Sequence, residues 1–142
     1  MPDPLPSQRG PGWTRIPRPT EYDGMRFRSR LEADYARALD MSGQAWEYEP
    51  CTFRAGPGRV WVPDFLVNGT YTELKNQDLS ADETAAQLRR IAVAFAAEPG
   101  AVVRLVVWRA GEGAILVYER KGRAGAWTVT EGALEGVINP AR

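Results

Sequence analysis

The chain reads as an α/β protein with a mixed sheet of about five strands and two helices packed against it. Three observations lead there. Apolar residues recur at helical spacing over positions 27–39. An Asn-Gly pair at 68–69 separates two β-prone runs, the strongest short signal for a two-residue hairpin. A near-continuous apolar run, Val102 to Trp108, follows a second helical stretch.

Each element has its own justification. Residues 1–20 are rich in Pro and Gly and read as an extended or disordered arm ahead of a single domain at 21–142. Phe27, Leu31, Tyr35, Ala38 and Leu39 mark the first helix. Ser29-Arg-Leu-Glu32 is a capping-box pattern that starts it near Arg30, and Gly43 fits its end. Ala45 to Glu49 alternates and is aromatic, as a strand does; Pro50 interrupts or bends it, with Thr52 and Phe53 as its continuation. After a turn at Ala55-Gly-Pro-Gly58 comes the hairpin of 60–67 and 70–76. Ser80-Ala-Asp-Glu83 is a second capping box, and Ala85, Leu88, Ala92 and Phe95 carry its helix to Pro99-Gly100. Val102 to Trp108 reads as a central strand buried on both faces. Gly111-Glu-Gly113 turns into a strand from Ala114 to Glu119, and Trp127 to Thr130 forms a short last one. The order is helix, three strands, helix, strand (αβββαβ), with the last steps forming a βαβ unit.

Composition narrows the chemistry. At 142 residues, 44% hydrophobic and 25% charged, the chain has the profile of one soluble domain. No run approaches a membrane span, and the Pro-rich start lacks the apolar stretch of a signal peptide. A single cysteine, Cys51, excludes an internal disulfide and a Cys-rich zinc site and suits a reducing cytoplasm. The absence of histidine excludes His-based general bases, Ser-His-Asp or Cys-His nucleophiles and His-ligated zinc. Hydrolytic chemistry here has to rest on carboxylates, lysine and an oxygen-loving metal. The basic residues are 16 Arg and 2 Lys, so a lysine is an unusual choice of cation for this chain. Net charge is zero, yet residues 9–30 carry six arginines against Glu21 and Asp23. Arg26, Arg28 and Arg30 in that stripe suit the phosphates of a nucleic acid.

One of the two lysines stands at the most informative place. With Asn68-Gly69 as the loop, Val67 pairs with Thr70 and Asp64 falls opposite Glu73 in a non-hydrogen-bonded pair, where side chains come closest. Two carboxylates so placed repel, and a bound cation removes the repulsion. Lys75, two residues beyond Glu73, shares its face. Phosphodiester hydrolysis needs an activated water and neutralisation of phosphoryl charge, which Mg²⁺ held by carboxylates supplies, with a lysine to orient the water or stabilise the transition state. Asp64, Glu73 and Lys75 provide those parts.

Pro63-Asp64, the hairpin turn and Glu73-Leu-Lys75 resemble the PD-(D/E)XK nuclease superfamily, and Phe27-Arg-Ser-Arg-Leu-Glu32 resembles the first helix of that fold. The spacing, with Trp46-Glu-Tyr-Glu-Pro50 and Val62-Pro-Asp-Phe65, is similar to phage endonuclease I-type junction resolvases and TnsA-like endonucleases. Gln87-Leu-Arg-Arg-Ile91 has the glutamine of RecB-like members without their tyrosine, which sets the chain apart from that subgroup. The resemblance implies a restriction-endonuclease-like core over residues 22–108 and a Mg²⁺-dependent DNA endonuclease, with Mn²⁺ as substitute. It implies metal ligation by Glu32, Asp64, Glu73 and the Leu74 carbonyl, catalysis at Glu32, Asp64, Glu73 and Lys75, and a homodimer or larger nucleoprotein complex.

Plainer readings stand beside these. Asp64 could pair with an arginine, and Glu73 with Lys75 could be a polar strand edge. Glu32 could simply cap its helix at Ser29. Arg89 and Arg90 read as the polar face of the second helix, Cys51 as a packing residue, and the tryptophans as core. As a whole, the chain could instead be an inactive nuclease-fold subunit that binds nucleic acid or assembles a phage or mobile-element complex, which the retained Asp64, Glu73 and Lys75 argue against, or a nuclease acting on RNA.

Overall fold

Asp23 and Gly24 adopt φ of 52° and 77° and join β1 (Thr20–Tyr22) to β2 (Met25–Phe27) in an antiparallel hairpin with Tyr22 opposite Met25. Paired positive φ is what a two-residue turn between right-twisted strands requires, and Asp-Gly supplies it cheaply. The hairpin precedes the helix with which the sequence pattern begins the fold. That helix, α1 (Arg30–Met41), starts where expected, with the Glu32 N–H donating to Ser29 Oγ at 3.2 Å.

The structure, a computed structural model, describes residues 19–76, 79–108 and 115–132. The arm up to residue 18 and the turn at Gly111–Gly113 lie outside the described residues. Two compact units are distinguished, Met1–Arg37 and Ala38–Arg142. In the first, Phe27, Ala33, Tyr35 and Ala36 are buried, and the Arg37 guanidinium lies 5.6 Å from the Tyr22 ring centre.

The second unit holds the mixed sheet. After α1 come β3 (Trp46–Tyr48), β4 (Phe53–Arg54), β5 (Val60–Trp61), β6 (Phe65–Val67) and β7 (Thr70–Lys75). Then follow α2 (Ala81–Ile91), the short α3 (Ala94–Ala97), β8 (Val102–Trp108), β9 (Ile115–Lys121) and β10 (Thr128–Gly132). Among the described residues, six strands, one more than expected, run in the order β10-β9-β8-β7-β6-β3. Only β7 and β8 pair in parallel, because the α2–α3 connection carries the chain back across the sheet. Asn68 and Gly69, with φ of 47° and 85°, make the predicted turn, and Val67 pairs with Thr70 as the turn demands.

The expected single strand over 60–67 is split. β5 pairs with β4, whereas β6 pairs with β7 and β3. Val62-Pro63-Asp64 separates them, since proline has no N–H for a ladder and a fixed φ. The break sends Trp61 into the core, fully buried and stacked on Phe53 at 5.9 Å.

α2 begins with the capping box read from the sequence: Ser80 Oγ accepts from the Glu83 N–H and Glu83 Oε1 from the Ser80 N–H. The Ser80 N–H lowers the Glu83 carboxyl below its ordinary value. The helix ends earlier than expected, at Ile91, and α3 completes the connection. Ile91, Ala94 and Phe95 bury against Val103, Leu105 and Val107 of β8 in the main core. Among the described residues no helix is long and apolar enough to cross a membrane.

Candidate functional site

β7 alternates, so Tyr71, Glu73 and Lys75 share one face, the face on which Phe53, Trp61 and α2 lie. At its centre Glu73 is only 3% exposed. Burying a carboxylate is costly unless it is paired and hydrogen-bonded. Here the chain supplies three donors. Trp61 Nε1 donates to Oε1 at 2.8 Å. Lys75 Nζ and Arg90 Nη1 both lie 3.3 Å from Oε2. Arg90 Nη1 also donates to Gln87 Oε1 at 2.9 Å, one turn back on α2.

Asp64 stands one residue beyond the last paired position of β6, and extending the register sets it opposite Glu73. Its backbone carbonyl accepts from the Glu49 N–H at 2.9 Å, and its Oδ2 accepts from the Leu74 N–H at 2.7 Å. Hydrogen-bonded and non-hydrogen-bonded pairs alternate along the hairpin, so Leu74 turns its N–H and C=O toward β6. Pro63, opposite Leu74, has no N–H to offer that carbonyl. The Asp64 side chain therefore takes a ladder position, and the Leu74 carbonyl points to the strand end that carries both carboxylates.

This corrects the picture of two bare facing carboxylates. Glu73 is met by the protein's own cations, and Asp64 by a backbone N–H, so their mutual repulsion is offset without an added ion. Asp64, Glu73, Lys75 and Arg90 together are formally neutral.

The structure thus brings Glu73 and Lys75 into contact and ties Asp64 to Leu74. Glu32 lies in the other unit, on α1, only 8% exposed. Arg26, Arg28 and Arg30 are also in that unit and all exposed. Arg26 is opposite Glu21 in the hairpin, and Arg30 lies 3.7 Å from Asp34, an exposed pair of small energetic value.

Two residues of the site escaped the sequence reading. Trp61 lies in the core, as the sequence predicts, but its indole N–H is aimed at Glu73. The sequence pattern places Arg90 with Arg89 on the polar face of α2, whereas Arg90 reaches Glu73 and Arg89 alone is exposed. The available signal for Arg90 was Gln87, three residues earlier and so on the same helical face.

Among the described residues no group of three or more His, Cys, Asp or Glu side chains is arranged to hold a metal ion. What the strand end offers is all oxygen: two carboxylates and a carbonyl. That set fits a hard divalent cation such as Mg²⁺, which keeps several waters and needs few protein ligands. Other chemistry is not favoured nearby. Burial first, then Glu98 and Glu47, push the Cys51 thiol above its ordinary value, away from the reactive thiolate. The Tyr71 hydroxyl donates to Glu98 at 2.9 Å, and burial together with that carboxylate pushes it up to about 12.

Trp61→Phe is expected to keep the stack on Phe53 and remove one donor from the buried Glu73, lowering stability by about 2 kcal/mol. Urea denaturation checks this, and an unchanged midpoint would show that the indole N–H is energetically idle. Comparison with protein-family models, with curated proteins and with solved structures returns no match for this chain.

Proposed function

We propose that this chain is a divalent-cation-dependent nuclease of the PD-(D/E)XK kind that hydrolyses phosphodiester bonds in DNA. One observation carries the reading. Asp64, the Leu74 carbonyl, Glu73 and Lys75 occupy the same end of β6 and β7, with Lys75 Nζ 3.3 Å from Glu73. Asp64, Glu73 and the Leu74 carbonyl are the groups that would hold Mg²⁺ or Mn²⁺. Bound there, the cation supplies neutralisation of phosphoryl charge and an easier ionisation of water. The protein's own groups do the rest. The Leu74 N–H fixes the Asp64 carboxylate, Trp61 fixes that of Glu73, and Lys75 orients the attacking water or stabilises the developing charge.

The test is incubation with supercoiled, linear, single-stranded and branched DNA in Mg²⁺, Mn²⁺ or EDTA. Cleavage of at least one substrate, stopped by EDTA, is expected; no cleavage of any of them refutes the reading. A second reading, an inactive nuclease-fold subunit that binds nucleic acid or assembles a complex, draws on the saturation of Glu73 by its own chain. It predicts DNA binding that ignores metal and never leads to cutting.

The exposed arginines of the N-terminal unit serve DNA binding in either reading. Changing Arg26, Arg28 and Arg30 together to Ala is expected to weaken duplex affinity and to flatten its salt dependence, by up to about one slope unit per lost phosphate contact. An unchanged slope would return them to the solvated surface.

A further inference from the structure

Arg90 is the group at this site that the proposed chemistry does not use. Its Nη1 contacts two acceptors, Glu73 Oε2 at 3.3 Å and Gln87 Oε1 at 2.9 Å, while its side chain remains 40% exposed. It is neither a buried structural cation nor a free surface one. Lys75 already contacts the same Glu73 oxygen at 3.3 Å, so Oε2 carries two cations. One would suffice to neutralise the carboxylate.

Charge arithmetic shows what this excess does. Two carboxylates and two cations sum to zero. Adding a divalent cation leaves the cluster at formal +2, which disfavours metal binding alone. A phosphodiester brings negative charge, and a guanidinium is the side chain best matched to phosphate oxygens. A metal on Glu73 displaces Arg90, and a displaced Arg90 has a phosphate partner only when the substrate is present.

We propose that Arg90 is a phosphate-binding residue stored on Glu73 and Gln87 in the free protein, so that divalent cation and phosphodiester bind this site cooperatively. The proposal rests on the nuclease reading and deepens it. In thermodynamic terms, each ligand removes a cost otherwise met by the other, and the coupling is reciprocal.

The test uses the full chain, with Mn²⁺ alone as metal probe and a short labelled DNA duplex as phosphodiester probe. Mn²⁺ binding without DNA is measured by calorimetry on the wild type and Arg90→Gln. Duplex binding is measured by fluorescence anisotropy in Ca²⁺ and in EDTA. Arg90→Gln is expected to bind Mn²⁺ about tenfold more tightly than wild type, the scale of removing one like charge a few ångströms away. It is also expected to lose about tenfold of the duplex affinity that Ca²⁺ confers on the wild type.

Equal Mn²⁺ affinity in the two proteins makes Arg90 a fixed partner of Glu73 and overturns the inference, while the cation site stands. Tighter Mn²⁺ binding with an undiminished Ca²⁺ gain also overturns it, because the phosphate role is then absent. If neither protein binds Mn²⁺ and Ca²⁺ adds nothing to the duplex affinity of either, the nuclease reading falls together with the inference. Gln87→Ala guards against misfolding of Arg90→Gln, since it loosens Arg90 while keeping every charge. It should bind Mn²⁺ about twofold to threefold more tightly, and an unchanged affinity there overturns the proposal.

Discussion

Lys75→Ala and Asp64→Asn are each expected to reduce DNA cleavage by about a thousandfold or more in protein that stays folded. The scale is that of losing a positioned proton-transfer or charge-stabilising group. The two variants remove different things. Asp64→Asn keeps an oxygen to accept from the Leu74 N–H, so the clamp at the strand end survives while the negative charge is lost. Lys75→Ala leaves Glu73 its contacts with Trp61 and Arg90, so the buried carboxylate stays partnered. Neither change should lower stability by more than about 1–2 kcal/mol. The measurement is plasmid nicking in Mn²⁺ at matched protein concentration, with a thermal melt of each variant beside it. Near-wild-type nicking by either one would remove that residue from the chemistry. A variant that loses activity only because it unfolds would show in the melt and would carry no weight.

Glu73→Gln is expected to cause the largest loss of stability, about 3 kcal/mol in urea denaturation, together with loss of activity. Glu73 is the hub on which an indole N–H and two cations converge. Removing one partner of a buried ion pair leaves the others uncompensated, which costs about 3–5 kcal/mol for fully buried groups. Lys75 and Arg90 are 29% and 40% exposed, so each can recover part of its hydration, which places the cost at the low end of that range. The coupling is testable directly. Glu73→Gln combined with Arg90→Gln should be less destabilised than the sum of the single changes, because the second removes a cation the first left without a carboxylate. Additive losses, or a Glu73→Gln protein as stable as wild type, would mean that Glu73 is not the electrostatic centre of this face.

The start of α2, the register of the 65–72 hairpin and the buried character of β8 were all legible in the sequence. Each depends on neighbours a few residues away. Ser80 and Glu83 satisfy each other's backbone N–H groups within one turn, and Asn68-Gly69 accepts the positive φ that fixes Val67 against Thr70. Once that pair is set, strand alternation alone carries Asp64, Glu73 and Lys75 toward one place. The Asp23-Gly24 hairpin obeys the same rule, but Phe27 also fits the periodicity of the helix that follows, which hides the strand in the sequence pattern. Tertiary structure alone decided what surrounds Glu73. Trp61 reaches it across 12 residues and Arg90 across 17, and neither contact joins near neighbours in the sequence. Pro63 breaks the strand and lets Trp61 pack under β7 against Phe53, while burial of Ile91, with Leu88 packed against the same core, sets the rotation of α2 that turns Arg90 toward Glu73. Those contacts follow from how apolar faces are covered, a property of the assembled layers that no short window of sequence contains.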